Sequence, residues 1–169
     1  MDEAYTKRLR ASHSLIIELQ PASLWTLITT AGILEKCHPF CESNTAVVWD
    51  ENEHIDVLVY LNGRRYVRTF QTWTVNEGFS LLIGSEGGAQ SYVEWNIEAH
   101  GDEHSRLTIT IFPYILAKLP RPLALLPHLM WVRPRLRTYL RSVLSGFQYH
   151  LATEQAVPRN HFGSHPWFS

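Results

Sequence analysis

The sequence predicts an α+β fold, with a curved antiparallel sheet of about seven strands wrapped around one long C-terminal helix and two short helices after the first strand. Three observations predict it. Between residues 44 and 112 the chain reads as consecutive strand-like segments separated by turn residues. After Arg133 the apolar period changes from that of a strand to that of a helix. And 169 residues with 45% apolar content are enough for one well-buried core but short for two.

The elements follow in order. SHSLIIELQ alternates, with Leu15, Ile17 and Leu19 on one side, as a half-buried strand does. Pro21-Ala22-Ser23 stops it, and Ser23 is placed to cap a short helix carrying Leu24, Trp25, Leu27 and Ile28. Gly32 breaks that helix. A second short piece runs from about Ile33 to Cys37 and ends at His38-Pro39, because a residue before proline avoids the helical region. NTAVVWD and HIDVLVYL are strands, the latter with Ile55, Val57, Val59 and Leu61 on one face. Asn62-Gly63 is a hairpin signal, and RRYVRTFQTWTV returns. FSLLIGS, AQSYVEWNIEAH and SRLTITIF complete the sheet, separated by Asn76-Glu77-Gly78, Gly87-Gly88 and GDEH. Leu136, Tyr139, Leu140, Val143, Leu144, Phe147 and Leu151 then form one continuous stripe on a helix that Pro134 opens. Gly146 in its middle is either a mild cost or a point of close packing.

The net charge of −1 offers no general electrostatic case for nucleic acid, and none is expected as a partner. Charge is sorted along the chain, however. No Asp or Glu lies between Glu103 and Glu154, an interval holding Arg106, Lys118, Arg121, Arg133, Arg135, Arg137 and Arg141. This suggests a face that meets anions, or else arginines that only solvate a helix. The opening residues lack the apolar core of a secretory signal, so a cytoplasmic protein, peripheral to a membrane at most, is expected. FPYILAKLPRPLALLPHLMWVRPRLR, residues 112–137, is the most apolar stretch, but its five prolines exclude a membrane-spanning helix.

The order of elements resembles the helix-grip fold of the SRPBCC superfamily, which contains START lipid-transfer domains, Bet v 1-like proteins, polyketide cyclases and coenzyme Q-binding proteins. The residues that carry the resemblance are the first strand running into Pro21-Ala22-Ser23-Leu24-Trp25, then His38-Pro39, the paired hairpins, and the helix from Pro134 to Thr153. The resemblance covers about residues 11–153. It implies a cavity between sheet and C-terminal helix that binds or transfers a hydrophobic small molecule: a lipid, a quinone or a polyketide-like compound. Carriers and enzymes share this fold. The expected organisation is one domain over 1–158, with an apolar proline-rich insert at about 113–133, and an aromatic tail over 159–169 carrying Phe162, Trp167 and Phe168.

On this frame the expected cavity stripes are Val57, Val59, Leu61, Val93, Trp95, Ile97, Leu107, Ile109 and Ile111, facing Tyr139, Val143 and Phe147. Trp25 joins them as a ligand contact. A filled core needs the same residue types and is the alternative. Arg64, Tyr66, Arg68 and Phe70 share one strand face; if it faces inward, Arg68 can hold a carboxylate or phosphate bidentately, and otherwise it lies outside over aromatics. His38 in CHPFC is a polar contact, a general acid/base or a structural histidine; without further Cys or His clusters no metal is expected, and no cofactor. As catalytic groups His38, Asp56, Glu94 and Arg68 are available, but Asp56 and Glu94 sit opposite the apolar stripes, and no nucleophile elbow or phosphate loop is present. A non-catalytic carrier is therefore expected ahead of a polyketide cyclase/dehydratase-type enzyme, or of an interaction protein assembling through the insert. The insert's leucines read as a lid, as extra core, or as a membrane or homodimer contact through Leu123, Leu125, Leu126 and Trp131.

Overall fold

A computed structural model describes residues 3–169, with side chains from Tyr5 onward. After a short α1 (Glu3–Thr6), β1 (Ala11–Ile17) leads into α2 (Pro21–Ile28) and α3 (Leu34–Cys37). Six strands follow: β2 (Cys41–Trp49), β3 (His54–Tyr60), β4 (Arg65–Thr74), β5 (Gly78–Gly84), β6 (Gln90–Ala99) and β7 (Ser105–Phe112). They form one antiparallel sheet in the order β1-β7-β6-β5-β4-β3-β2. The chain meanders from β2 to β7, and β1 pairs beside β7 at the far edge. Pro21 occupies the first turn of α2 and Gln20 its N-cap, so proline rather than the expected Ser23 opens that helix.

The C-terminal helix is longer than the apolar stripe indicates. α4 (Arg121–Pro127) runs through a π-helical turn (His128–Val132) directly into α5 (Arg133–Thr153). The prolines do not break it into steps. Pro122 sits in the first turn of α4, where its missing N–H costs nothing. At the other end the π-helical turn lets the Arg133 N–H reach the His128 carbonyl, so that Pro134 enters a widened helix.

α5 lies across β1 and α3 and buries the expected stripe from Leu136 to Phe147. Gly146 is a point of close approach: a Cβ there would run into the carbonyl oxygen of Cys37 in α3. Backbone rather than a movable side chain blocks the space. Residues 159–169 fold back over the domain. The Asn160 N–H donates to the Pro39 carbonyl (2.9 Å), Arg159 pairs with Glu42, and His165 Nε2–H donates to the Arg135 carbonyl (3.1 Å).

Gly146→Ala is expected to destabilise the protein by about 2 kcal/mol or more, because overpacking against fixed backbone forces α5 away from α3. Urea unfolding measures it. An unchanged midpoint would mean the two helices are not held as close as described.

Candidate functional site

Between the concave sheet face and α5 lies a cavity of about 260 Å³. Its walls are apolar: Leu58, Leu81, Val93, Trp95, Ile109 and Ile111 from the sheet, and Leu136, Leu140 and Val143 from α5. Ligand pockets for drug-sized molecules run from about 300 Å³ upward, so this space suits a small molecule or part of a larger one. Pro113, Tyr114, Ile115, Trp131 and Arg64 also line it, and the tail adds Trp167 and Phe168.

β3 enters the site in the opposite phase to the one expected. Asp56, Leu58 and Tyr60 face inward, while Val57 and Val59 lie on the other face and outside the core cluster. Leu61 falls in the turn beyond the strand. Both faces of this strand are apolar, so hydrophobic alternation could not decide between them. The ion pair decides. Asp56 stands directly opposite Arg68 on β4. Arg68 Nε donates to Asp56 Oδ1 (2.6 Å) and the guanidinium also bonds Oδ2, making a bidentate pair with both side chains buried. Asn44 Nδ2 donates to the same Oδ2 (3.0 Å). Burial alone pulls the Arg68 pKa down, but the Asp56 charge and its hydrogen bonds more than offset this, and the net shift is upward. Arg68 therefore lines the cavity as expected, but its guanidinium is already committed to Asp56.

A second polar network runs along the same end. The Phe40 N–H donates to His38 Nδ1 (3.2 Å), which places the ring proton on Nε2. That Nε2–H donates to Tyr139 Oη (2.9 Å), and Tyr139 in turn can donate to Tyr60 Oη (3.1 Å). The Tyr60 hydroxyl is thus the end of the chain and keeps its own proton for another acceptor. Burial, with Arg68 adding to it, lowers the His38 pKa to about 3, so the imidazole is neutral and acts as a fixed donor. Burial likewise raises the hydroxyl pKa values of Tyr60 and Tyr139. Phe168 of the tail closes this end, its ring 4.5 Å from those of both Tyr60 and Tyr139. Near Arg64, Tyr66 and Tyr114 share a hydroxyl contact (3.2 Å).

Of the expected ligand contacts, the structure brings His38, Tyr66, Arg68, Val93, Trp95, Ile109, Tyr139 and Val143 together around the cavity. Trp25, Phe70, Ile97 and Phe147 are core residues instead. Trp25 and Phe70 join Trp73 and Phe79 in an aromatic cluster, because a bulge after Phe70 turns Trp73 inward as well. Phe147 packs on Trp95, and Ile97 lies in the core cluster. Glu94 lies on the opposite face of β6 from Val93 and Trp95, as expected. Cys37 and Cys41 are buried thiols whose pKa burial pushes up to about 12, unsuited to nucleophilic work. Sequence reasoning missed Leu58, Tyr60, Leu81 and the tail's Phe168. A usable signal existed for the first two: Asp56 and Arg68 are equidistant from Asn62 at the hairpin tip, which puts the one acid of β3 across from an arginine.

Asp56→Asn is expected to destabilise the protein by about 3–5 kcal/mol, since it leaves a buried guanidinium without a counter-charge. Combining it with Arg68→Met should recover most of that loss in urea unfolding. Equal costs for single and double variants would show that the pair does not act as a unit. A pH dependence follows from His38. The unfolded chain accepts a proton near pH 6.5, which the folded chain refuses until about pH 3. Its contribution to stability is therefore complete above pH 6.5 and is lost as pH falls toward 3, at up to about 1.4 kcal/mol per pH unit. His13, His54, His128 and His165, also lowered by burial, act in the same direction. His38→Gln should flatten the dependence of the unfolding midpoint between these limits; an unchanged slope would remove His38 from this account.

No family model matches the chain, and no curated protein matches it. Solved structures do. DynU16, from the dynemicin biosynthetic locus, superposes with a TM-score of 0.65 at 10% identity, covering 87% of this chain and 48% of its own. BexL, a di-domain ARO/CYC from the BE-7585A biosynthetic pathway, gives 0.66 at 10% identity, covering 85% and 46%. TTHA0849 from Thermus thermophilus gives 0.65 at 16% identity, covering 86% and 99%. The chain thus spans about half of DynU16 and of BexL and nearly all of TTHA0849. At these identities the likeness is one of fold. A seven-stranded antiparallel sheet gripping a long C-terminal helix, shared with these neighbours, gives this chain the helix-grip fold.

Proposed function

We propose that the protein is a carrier for a small, predominantly apolar and uncharged molecule held between the sheet and α5. One observation carries this reading: the deep polar groups of the cavity are already bonded to one another. Arg68 is neutralised by Asp56, and His38, Tyr139 and Tyr60 form a relay that ends at the Tyr60 hydroxyl. An anionic head group would find the deep cation already neutralised; the other arginine of the lining, Arg64, is exposed and lies over the Tyr66 ring. A general base is equally lacking, since His38 Nδ1 is occupied by a backbone N–H. What remains for a ligand is apolar wall with hydroxyl donors from Tyr60 and from the Tyr66–Tyr114 pair, suited to a carbonyl or ether oxygen.

A second reading is favoured by the ARO/CYC neighbour BexL. In it the Tyr60 hydroxyl polarises a carbonyl of a polyketide-like substrate, with Tyr139 and His38 holding it in place. Both readings use the same cavity and differ in what Tyr60→Phe does.

Native mass spectrometry of the gently purified chain, followed by denaturing extraction, is expected to release a near-stoichiometric apolar compound. Val143→Trp should fill the cavity and abolish that mass while the protein remains folded. Tyr60→Phe should weaken binding of the released compound by roughly fivefold, the value of about one neutral hydrogen bond. If the compound is converted by wild-type protein and not by Tyr60→Phe, the enzyme reading replaces the carrier. If Val143→Trp retains the full mass, the ligand is not in this cavity.

A further inference from the structure

The helix ahead of α5 is packed inside out. Its inward side is Ala124, His128 and Val132, spaced four apart and all buried, with no leucine among them. Its outward side is Leu123, Leu126 and Met130, exposed at 65%, 64% and 73%. A helix that serves only the core does the reverse. His128 is held in place by its Nε2–H, which donates to the Arg10 carbonyl (3.1 Å), so the inward side is fixed to the N-terminal segment. The leucines have been left outside by an otherwise well-anchored helix.

Beside them runs a basic groove. Arg8, Arg10, Arg121 and Arg133 line it together with Leu125 and Leu129, themselves exposed at 46% and 42%. Arg121, Leu125, Leu129 and Arg133 follow one another at four-residue steps along the helix. The Arg8 guanidinium bonds the Gln90 carbonyl and lies over the Tyr5 ring. Among the described residues, Arg10, Arg121 and Arg133 have no carboxylate partner, and no carboxylate lines the groove. No acid occurs anywhere between Glu103 and Glu154.

We infer that this face docks on an anionic lipid surface, with Leu123, Leu126 and Met130 entering the acyl boundary and the arginines of the groove meeting lipid phosphates. Amphipathic helices that lie in a membrane interface combine these two features. No helix among the described residues is long and apolar enough to cross a membrane, so the contact is peripheral. The alternative cover is a second copy of the chain, and charge argues against it. A two-fold contact pairs one patch with itself, which would bring Arg121 and Arg133 against their own copies with no acid in the groove lining among the described residues. Anionic phosphates remove the same repulsion. The docked face also adjoins the cavity, because Trp131 is exposed on this helix and lines the cavity at once.

Vesicle flotation with the full chain tests this, using phosphatidylcholine vesicles with and without phosphatidylglycerol. The expected result is binding to the phosphatidylglycerol vesicles that weakens as salt rises from about 0.1 to about 1 M, where the screening length falls from about 10 to about 3 Å. The triple variant Leu123→Ser, Leu126→Ser, Met130→Ser should lose binding roughly tenfold or more. Arg121→Gln with Arg133→Gln should lose about fivefold per arginine on anionic vesicles and nothing on neutral ones. All these residues are exposed, and an unchanged urea midpoint establishes that the variants are folded. The inference does not rest on cavity occupancy: Val143→Trp should float as wild type does even where it has lost its ligand. Absence of flotation, or equal binding to both vesicles, overturns the proposal. A dimer in light scattering that the serine variant converts to monomer, without vesicle binding, assigns the face to a second copy instead.

Discussion

The buried pair Asp56–Arg68 is the constraint on which the rest of the site depends. It sits at directly opposed positions of β3 and β4, with both side chains buried. Two charges in such a place are tolerable only together, with both carboxylate oxygens and the guanidinium edge satisfied. Because they must face each other on one side of the sheet, they set the phase of β3. Leu58 and Tyr60 then point inward with Asp56, and Val57 and Val59 are sent to the other face. The pair also determines what the cavity lacks. An arginine in an apolar pocket usually marks an anion site, but here the anion is part of the protein.

The same self-sufficiency recurs in the neutral groups. His38 takes a backbone proton on one nitrogen and gives its own to Tyr139, which leaves Tyr60 as the terminal hydroxyl. The direction of that relay follows from the Phe40 N–H, which occupies Nδ1 of an imidazole that burial keeps uncharged and so leaves the proton on Nε2. Phe168, arriving from the far end of the chain, packs against both tyrosines and completes the enclosure. Its placement depends on His165, Asn160 and Asn62, whose hydrogen bonds tie the tail to α5, to Pro39 and to the β3–β4 hairpin. The cavity is therefore bounded by parts of the chain that are far apart in sequence.

The helix from Arg121 to Val132 answers to a different demand. Pro122 fits its first turn, and the π-helical turn carries it past Pro134 into α5 without a break. That continuity presents the leucines as one outward face rather than as a folded-in loop. Ile115 and Leu116, ahead of the helix, pack partly against the core; Leu123, Leu126 and Met130 do not.

The sequence by itself determined the α+β class, the strand order through its turns, the two short helices, and the inward faces of β6, β7 and α5. In those elements one face is apolar and the other polar, and a one-residue slip would bury charge. β3 was beyond that logic because it is apolar on both sides, and only the partner across the hairpin distinguishes them. The division between cavity wall and filled core was likewise decided by tertiary structure: Trp25, Phe70 and Phe147 are large aromatic residues as Trp95 and Tyr139 are, and which of them meets open space depends on the bulge in β4 and the seat of α5. The tail's role needed the closed fold, since an aromatic residue at position 168 acquires partners only when residues 60 and 139 have already been brought together. Local pattern records the side of an element that avoids water; only the assembled chain records what that side touches.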